Sequence, residues 1–409
     1  MIKSNYWKNI SVVAIGTVLA QVLPILFLTV LSRLYSAEDV GVYVLVLSVA
    51  SILVAISTLS LDQAMYVVKT TDEVRSLFRV LVILSTLLLL LVYGVDLSVY
   101  SFLNFSVVPK GLESYALEVV IFASLLAVLQ GMYSWFIYGA RFYTLSVLRV
   151  SVAGFVVLGQ ILVIYMGGDL SDLIRAQILV TLIVVSLFIF KERLYPFAIG
   201  RLKPMFEMMV LSKRFIYYST PANIVNTLVN QLPIILIASN YSVAFSAFYG
   251  LANKMLTVPS SLLSGSIMTV FRDEAGTEYR AKGHCMVAFK KTLKALLLIS
   301  IVPFSVLYFS AEYIFVLAFG DEWRVAGQFA RYLIPLVFMG FIVSPLSYTL
   351  LLAQWQGINL AWQISLLLLT VLIFLMQYEL EFAIQLYSGV YSFMYCLYFI
   401  ISYRAAKGG

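Results

Sequence analysis

The chain has 409 residues, of which 62% are hydrophobic and only 11% charged, and its mean hydropathy is +0.98. An ordinary soluble protein is about 45–50% apolar and about 25% charged, and a soluble fold of this length cannot hide so much apolar surface, which excludes a soluble enzyme. The net charge of +7 is therefore read against a bilayer, where Lys and Arg gather on the cytoplasmic side, and not against nucleic acid.

The N-terminal residues Met1 to Asn9, with Lys3 and Lys8, lead into an apolar run too long for a signal peptide, so the run reads as an uncleaved first helix. A spanning helix needs ~20 mainly apolar residues, and that template finds ~12 spans. They fall at roughly 10–32, 40–61, 79–100, 115–138, 144–166, 172–190, 215–238, 243–265, 294–317, 326–352, 360–377 and 383–402. The expected fold is an all-α polytopic membrane protein of two six-helix halves, 1–190 and 215–409, joined by a basic linker over 191–214.

An even number of spans puts both termini on one side. About 20 of the 27 Lys and Arg residues fall on that side, in the tails and in the loops around Lys69, Arg141, Lys191 to Arg214 and Arg272 to Lys294. The opposite side holds Arg33, Lys110, Arg175, Arg324 and Arg331 and is richer in acid. Both termini are therefore expected in the cytoplasm. Two basic cytoplasmic loops stand out, 191–214 and 272–294. In the first, Pro204 to Arg214 reads either as a short amphipathic helix on the membrane surface or as a solvated linker. No loop on the opposite side has room for a catalytic domain.

The halves look like repeats. Gln21 and Pro24 are followed by Tyr35-Ser36 and Tyr43; Gln231 and Pro233 are followed by Tyr241-Ser242 and Tyr249. Six spans per half preserve orientation, so such a repeat axis runs along the membrane normal.

A charge at bilayer depth costs ~2.5–3.5 kcal/mol on insertion scales and should face a cavity or a partner. Lys254 lies ~16 Å inside the eighth span. Ala247, Gly250, Thr257 and Ser261 share its helical face. That small and polar stripe reads as the wall of an aqueous vestibule; close helix packing around a buried ion pair is the alternative. Arg149, ~8 Å inside the fifth span, reads as a second lumen cation or as a side chain snorkelling to headgroups. Gln160 lies on its face.

The seventh span carries Asn223, Asn226, Asn230 and Gln231, the asparagines within ~60° of one another. They offer a polar wall to sugar hydroxyls, which Gln21 of the first span can join, or else amide bonds between helices. Asp62 and Glu118 border spans and are candidates for ion coupling. The single His284 and the separated Cys285 and Cys396 form no metal-ligand pattern, and no nucleotide or hydrolase motif occurs, so no cofactor or metal is expected.

Ser32-Arg33-Leu34-Tyr35-Ser36 and Glu38-Asp39-Val40-Gly41-Val42-Tyr43 resemble the "RLYSPEDFGxY" signature of bacterial polysaccharide-export flippases, with Ala37 in place of Pro. Tyr249 to Lys254 looks like that family's eighth-span "Y-x-x-A-x-K" element. Phe319-Gly320-Asp321-Glu322-Trp323 with Ala326-Gly327 looks like its "FGxxW…AG" loop, and Ser344-Pro345 also fits. The resemblance runs through nearly the whole chain.

It implies a lipid-linked oligosaccharide flippase of the O-antigen type, within the multidrug/oligosaccharidyl-lipid/polysaccharide exporter superfamily. Such proteins place two six-helix bundles around a central cavity. They carry polyprenyl-diphosphate-linked repeat units from the cytoplasmic to the periplasmic leaflet of the bacterial inner membrane, for lipopolysaccharide or other surface polysaccharide. The family's cationic lumen maps onto Lys254, Arg149 and Arg33, and polymerase and chain-length proteins are implied partners. Two other readings stay open. A multidrug and toxin extrusion antiporter would favour a buried carboxylate over Lys254. A membrane glycosyl polymerase or ligase would need a larger outer loop than any here.

Overall fold

A computed structural model describes residues 2–103, 111–194 and 208–408, with side chains over 11–98, 111–194 and 208–408. Among these residues the chain is helical and forms no strand. Hydrocarbon offers backbone groups no hydrogen bonds, and a helix satisfies them within one segment.

The first half runs through α1 (Ile2–Leu34), α2 (Ala37–Ser57), the short α3 (Leu61–Ala64), α4 (Thr71–Leu103), α5 (Ala116–Tyr138), α6 (Phe142–Tyr165) and α7 (Leu170–Glu192). A five-residue π-helical stretch, Phe215–Ser219, then leads into α8 (Thr220–Asn240). The second half continues with α9 (Val243–Lys282), α10 (Met286–Phe319), α11 (Arg324–Leu346), the short α12 (Tyr348–Leu352), α13 (Gln356–Leu375) and α14 (Leu380–Ala406).

Eleven helical stretches among the described residues are long and apolar enough to cross a membrane. The chain is a multi-pass membrane protein. The remaining expected span, 243–265, lies inside α9, where Lys254 and the many serines, threonines and glycines dilute the apolar content. Large apolar side chains point outward all along the helices: Leu91, Leu298 and Phe309 are 64%, 67% and 86% exposed. In a bilayer these are the residues that lipid covers.

The expected loop over 272–294 is instead a helical hairpin. Helix α9, at 40 residues, is ~60 Å long, about twice the hydrocarbon thickness. Its polar end and the start of α10 therefore extend beyond the apolar layer. Hydropathy marks where a helix leaves hydrocarbon, not where it ends. Gly283 turns the chain at φ +73°, a left-handed conformation that glycine adopts without strain. Lys291 pairs with Glu274 at 2.7 Å, and the Glu278 carboxylate accepts from the Val287 and Ala288 amides at the start of α10. Cys285, buried in the turn, has its thiol pushed up to about 11 by burial and by Glu278, so it is an inert packing residue near neutral pH. Of the segment Pro204 to Arg214, residues 204–207 lie outside the described residues, while 208–211 are helical.

The chain divides into two compact units. One comprises Met1–Leu31 and Val42–Gln231, the other Ser32–Gly41 and Leu232–Gly409. Hydrogen bonds explain why residues 215–231 group with the first half: Asn223 Nδ2 and Thr220 Oγ1 donate to Ser60 Oγ at 2.9 and 3.2 Å. The core of this N-terminal unit gathers Phe78, Leu81, Met132, Phe136 and Leu148 from α4, α5 and α6. In the C-terminal unit α11 is the hub, packed on α9, α10 and α14. Ser32–Gly41 belongs there for equally concrete reasons. The Trp323 indole, fully buried, donates to the Ser32 carbonyl at 2.8 Å, and a Cβ on Gly41 would come within 2.2 Å of the Val243 carbonyl oxygen.

The repeated Tyr-Ser pairs share one job. The Ser36 hydroxyl accepts from the Asp39 amide at 3.2 Å, at the start of α2. The Ser242 hydroxyl accepts from the Phe245 amide at 3.2 Å and caps α9. A serine cap followed by a tyrosine two turns on, Tyr43 or Tyr249, is thus the common opening of both helices, and both tyrosines are buried.

The Ala326-Gly327 pair has a packing cause: a Cβ on Gly327 would lie 2.6 Å from the Glu312 Cα and 3.2 Å from the Ala311 carbonyl oxygen of α10. Both neighbours are backbone and cannot swing aside. Gly327→Ala should lower the unfolding midpoint of the purified protein in detergent, at a cost of about 1–3 kcal/mol. Gly94→Ala, where nothing lies within 4 Å, should be neutral or slightly stabilising. An equal response of the two variants would contradict this packing.

Candidate functional site

Polar side chains inside an apolar helical unit either find partners or mark a surface that meets something polar. The candidate residues divide on this criterion, and each unit is taken by itself.

In the N-terminal unit, Arg149 is half-buried on α6. Its guanidinium donates to Thr17 Oγ1 of α1 at 2.8 Å and lies 5.0 Å from the centre of the Tyr133 ring of α5. It is thus held among three helices, and neither contact uses up its five N–H donors. Gln160, nearly fully buried on the same helix, donates to Tyr43 Oη at 3.1 Å and Gln177 Oε1 at 3.3 Å, while the Tyr43 hydroxyl donates to Gln177 Oε1 at 2.6 Å. This closed triad joins α2, α6 and α7. It is internal glue, and it accounts for Gln160 and the first-half tyrosine together.

The asparagine face of α8 splits along its length. Asn223 is spent on Ser60. Asn226 and Asn230 are exposed, and Asn230 Nδ2 donates only to the Asn226 carbonyl one turn back, at 2.7 Å. Gln231 is half-buried. Gln21 of α1 has a buried Oε1 without a hydrogen-bond partner among the described residues. Asp62, 5% exposed in α3, accepts from Gln130 Nε2 at 2.9 Å through Oδ2, and its buried Oδ1 has no partner among the described residues. Glu118 differs: it pairs with Arg175 at 3.6 Å.

In the C-terminal unit, Lys254 sits half-buried on α9 and makes no ion pair or hydrogen bond among the described residues. Thr257 on its face donates to the Asn253 carbonyl of its own helix at 2.6 Å, which orients its hydroxyl and leaves the oxygen's lone pairs available. Arg33 is engaged. Its Nε and a terminal nitrogen donate to the Ala318 and Leu317 carbonyls, at 3.3 and 2.8 Å, in the last turn of α10. A cation on the orphan carbonyls of a helix C-terminus is favoured by the helix dipole. Arg33 thereby closes α10 while three of its N–H groups remain uncommitted.

The structure therefore joins Arg149 to Thr17 and Tyr133, and Asn223 to Ser60, partners that sequence spacing does not announce because they come from distant helices. Lys254 is left as an unpartnered cation, and Gln21, Asp62, Asn226 and Asn230 keep free polar valence. Taken unit by unit, the unpartnered ammonium of the C-terminal unit suits an anion, and the exposed amides of α8 in the N-terminal unit suit hydroxyl groups.

A family model described as "Polysaccharide biosynthesis protein" matches residues 30–328. The chain belongs to this family of polysaccharide biosynthesis proteins. A search of curated proteins gives no match. Among solved structures, the fold is similar to the lipid II flippase MurJ in an inward closed conformation, with a TM-score of 0.68 at 12% identity over 96% of this chain and 87% of that one. It is similar to a multidrug resistance MATE family transporter of the MOP superfamily in an outward-facing conformation (TM-score 0.59, 11% identity, 98% and 94% covered). A MOP superfamily transporter from Pyrococcus furiosus, whose binding pocket is described as of reverse polarity, gives a TM-score of 0.57 at 12% identity, with 97% and 94% covered. At these identities the likeness is one of fold.

The split of the asparagine face is measurable. Asn223→Ala should destabilise the purified protein by about 1 kcal/mol through loss of the Ser60 bond, whereas Asn226→Ala should leave the unfolding midpoint within error. A larger loss from Asn226→Ala would show that this side chain is structural.

Proposed function

We propose that this polysaccharide biosynthesis protein is a flippase. Its cargo is a polyprenyl-diphosphate-linked oligosaccharide, moved from the cytoplasmic to the periplasmic leaflet of the bacterial inner membrane for O-antigen or a related surface polysaccharide. The observation that carries the reading is Lys254. An unpartnered ammonium within a span costs ~2.5–3.5 kcal/mol, and a chain tolerates that cost where a ligand supplies the missing anion.

The chemistry of the cargo fits the groups that keep free valence. Its diphosphate is anionic and its sugars carry many hydroxyls. Lys254 receives the diphosphate as a point charge, in a setting of lower dielectric than water, where the attraction is stronger. Arg149 is the second cation, and Arg33, with its remaining N–H groups, serves at the outer end of α10. Asn226, Asn230, Gln231 and Gln21 hydrogen-bond sugar hydroxyls, with Asn223 anchoring that face of α8. The lipid tail stays in the bilayer. Alternating access then exposes the binding groups to each leaflet in turn. Asp62, whose second carboxylate oxygen lacks a partner, is the carboxylate we assign to ion coupling in preference to Glu118, which Arg175 already neutralises. In this reading the protein transports and does not catalyse, both termini lie in the cytoplasm, and polymerase and chain-length proteins receive the cargo.

Multidrug resistance is what is named for the MATE transporter; export of a cationic drug would be served by Asp62 but opposed by Lys254, which would repel such a cargo at ~4 kcal/mol for a 4 Å approach in an environment of dielectric 20. The two readings separate on one variant pair. Lys254→Ala should abolish surface glycan while the protein remains in the membrane at wild-type level, and Lys254→Arg should retain part of it. Normal surface glycan in the alanine variant refutes the assigned role. For Arg149, Lys should retain much of the activity and Ala little; equal activity of the two would show that the charge is dispensable.

A further inference from the structure

A concave site that Lys254 does not line lies in the C-terminal unit, near the outer end of α10. Tyr308, Phe309, Glu312, Tyr313 and Val316 line it from one face of α10, and Arg324 and Arg331 line it from α11. Its volume is about 350 Å³. Positions 309, 312, 313 and 316 recur at helical spacing, so the face is continuous along the helix.

The site is graded from polar to apolar. Arg324 opens α11, and Arg331 follows two turns deeper, ~10 Å along the helix. Phe309 lies ten residues, ~15 Å, below the end of α10. The headgroup layer on each side of a bilayer is ~5–7 Å thick. The two arginines thus span the headgroup region and its lower border, and Phe309 reaches acyl-chain depth. Phe309 and Tyr313 are 86% and 71% exposed, with ring faces free to lie along a chain.

The cations retain capacity. Arg324 touches Asp321 at 3.3 Å and Arg331 touches Glu312 at 3.5 Å, each through one terminal nitrogen, and Arg331 rests 5.6 Å from the Tyr308 ring centre. Each guanidinium has five N–H groups. The Tyr308 and Tyr313 hydroxyls make no hydrogen bond among the described residues. Each arginine thus meets one carboxylate through a single nitrogen, and the remaining N–H groups of both stay free to donate to a phosphate.

We infer that this groove binds an anionic glycerophospholipid of the leaflet bordering the α10–α11 turn, its phosphate on Arg324 and Arg331 and its chain against Phe309 and Tyr313. A soluble phosphate would leave the aromatic floor uncovered, and a zwitterionic lipid would bring its own cation against the arginines. The groove is thus a resident lipid site, independent of the cargo assigned to Lys254.

Native mass spectrometry of the full chain in detergent, titrated with phosphatidylglycerol or phosphatidylcholine, tests this. Two arginines, each already paired with one carboxylate, imply a preference for phosphatidylglycerol of about fivefold. The pair R324Q and R331Q should bring the two lipids to near parity, and the pair R324K and R331K should keep most of the preference. E312Q, which removes the competing carboxylate, should tighten phosphatidylglycerol binding; K254A should leave it unchanged. Equal binding of both lipids by the wild type overturns the site, as does a preference that survives the Gln pair. If the Gln pair does not fold, unaltered binding in E312Q overturns it. Displacement of phosphatidylglycerol from this groove by a polyprenyl diphosphate at equal concentration would overturn the assignment to a phospholipid.

Discussion

Hydrocarbon solvates no polar group, and most of this structure follows from that fact. It makes every span a helix, and it sends buried polar side chains to look for one another. Tyr43, Gln160 and Gln177 close a triad; Ser60 collects Asn223 and Thr220; Arg149 finds Thr17 and Tyr133. Against that background a polar group without a partner carries information. Among the described residues the rule is broken at the Gln21 and Asp62 oxygens and at the Ser388 and Ser402 hydroxyls, but Lys254 is the costliest exception because it is a cation, and function is the usual reason for such a cost.

The same constraint explains why the residues that carry the family resemblance are largely architectural. Arg33 closes the last turn of α10, Trp323 reaches back to the Ser32 carbonyl, and Gly41 and Gly327 let backbones approach where no Cβ fits. These contacts gather Ser32–Gly41 into the C-terminal unit, although it lies between two stretches of the N-terminal one. A motif can therefore mark a family largely through its fold, while two of its residues, Lys254 and Arg33, are also proposed to meet the cargo.

Much of the fold was legible in the sequence, because span length and apolar content are properties of single segments. All the expected spans correspond to long helices, and the repeated Tyr-Ser pairs proved to be helix caps. The hairpin over 272–294 was not legible, since a helix outside hydrocarbon needs no apolar run. Nor were the partners of Arg149, Asn223 and Arg33, which sit on helices far away in sequence: the wheel places Asn223 beside Asn226 and Asn230, but only tertiary packing commits the first to Ser60 and leaves the other two exposed. Periodicity shows a face; it does not show which part of that face is already occupied.

The central claim is that this protein moves an anionic lipid-linked glycan across a bilayer. Reconstitution into vesicles carrying a labelled polyprenyl-diphosphate oligosaccharide in both leaflets tests it directly, with an impermeant glycosidase added outside. The account predicts that protein-containing vesicles lose nearly all the labelled glycan, whereas protein-free vesicles keep the half that faces inward. Protection of that inner half in the presence of correctly folded protein would contradict it.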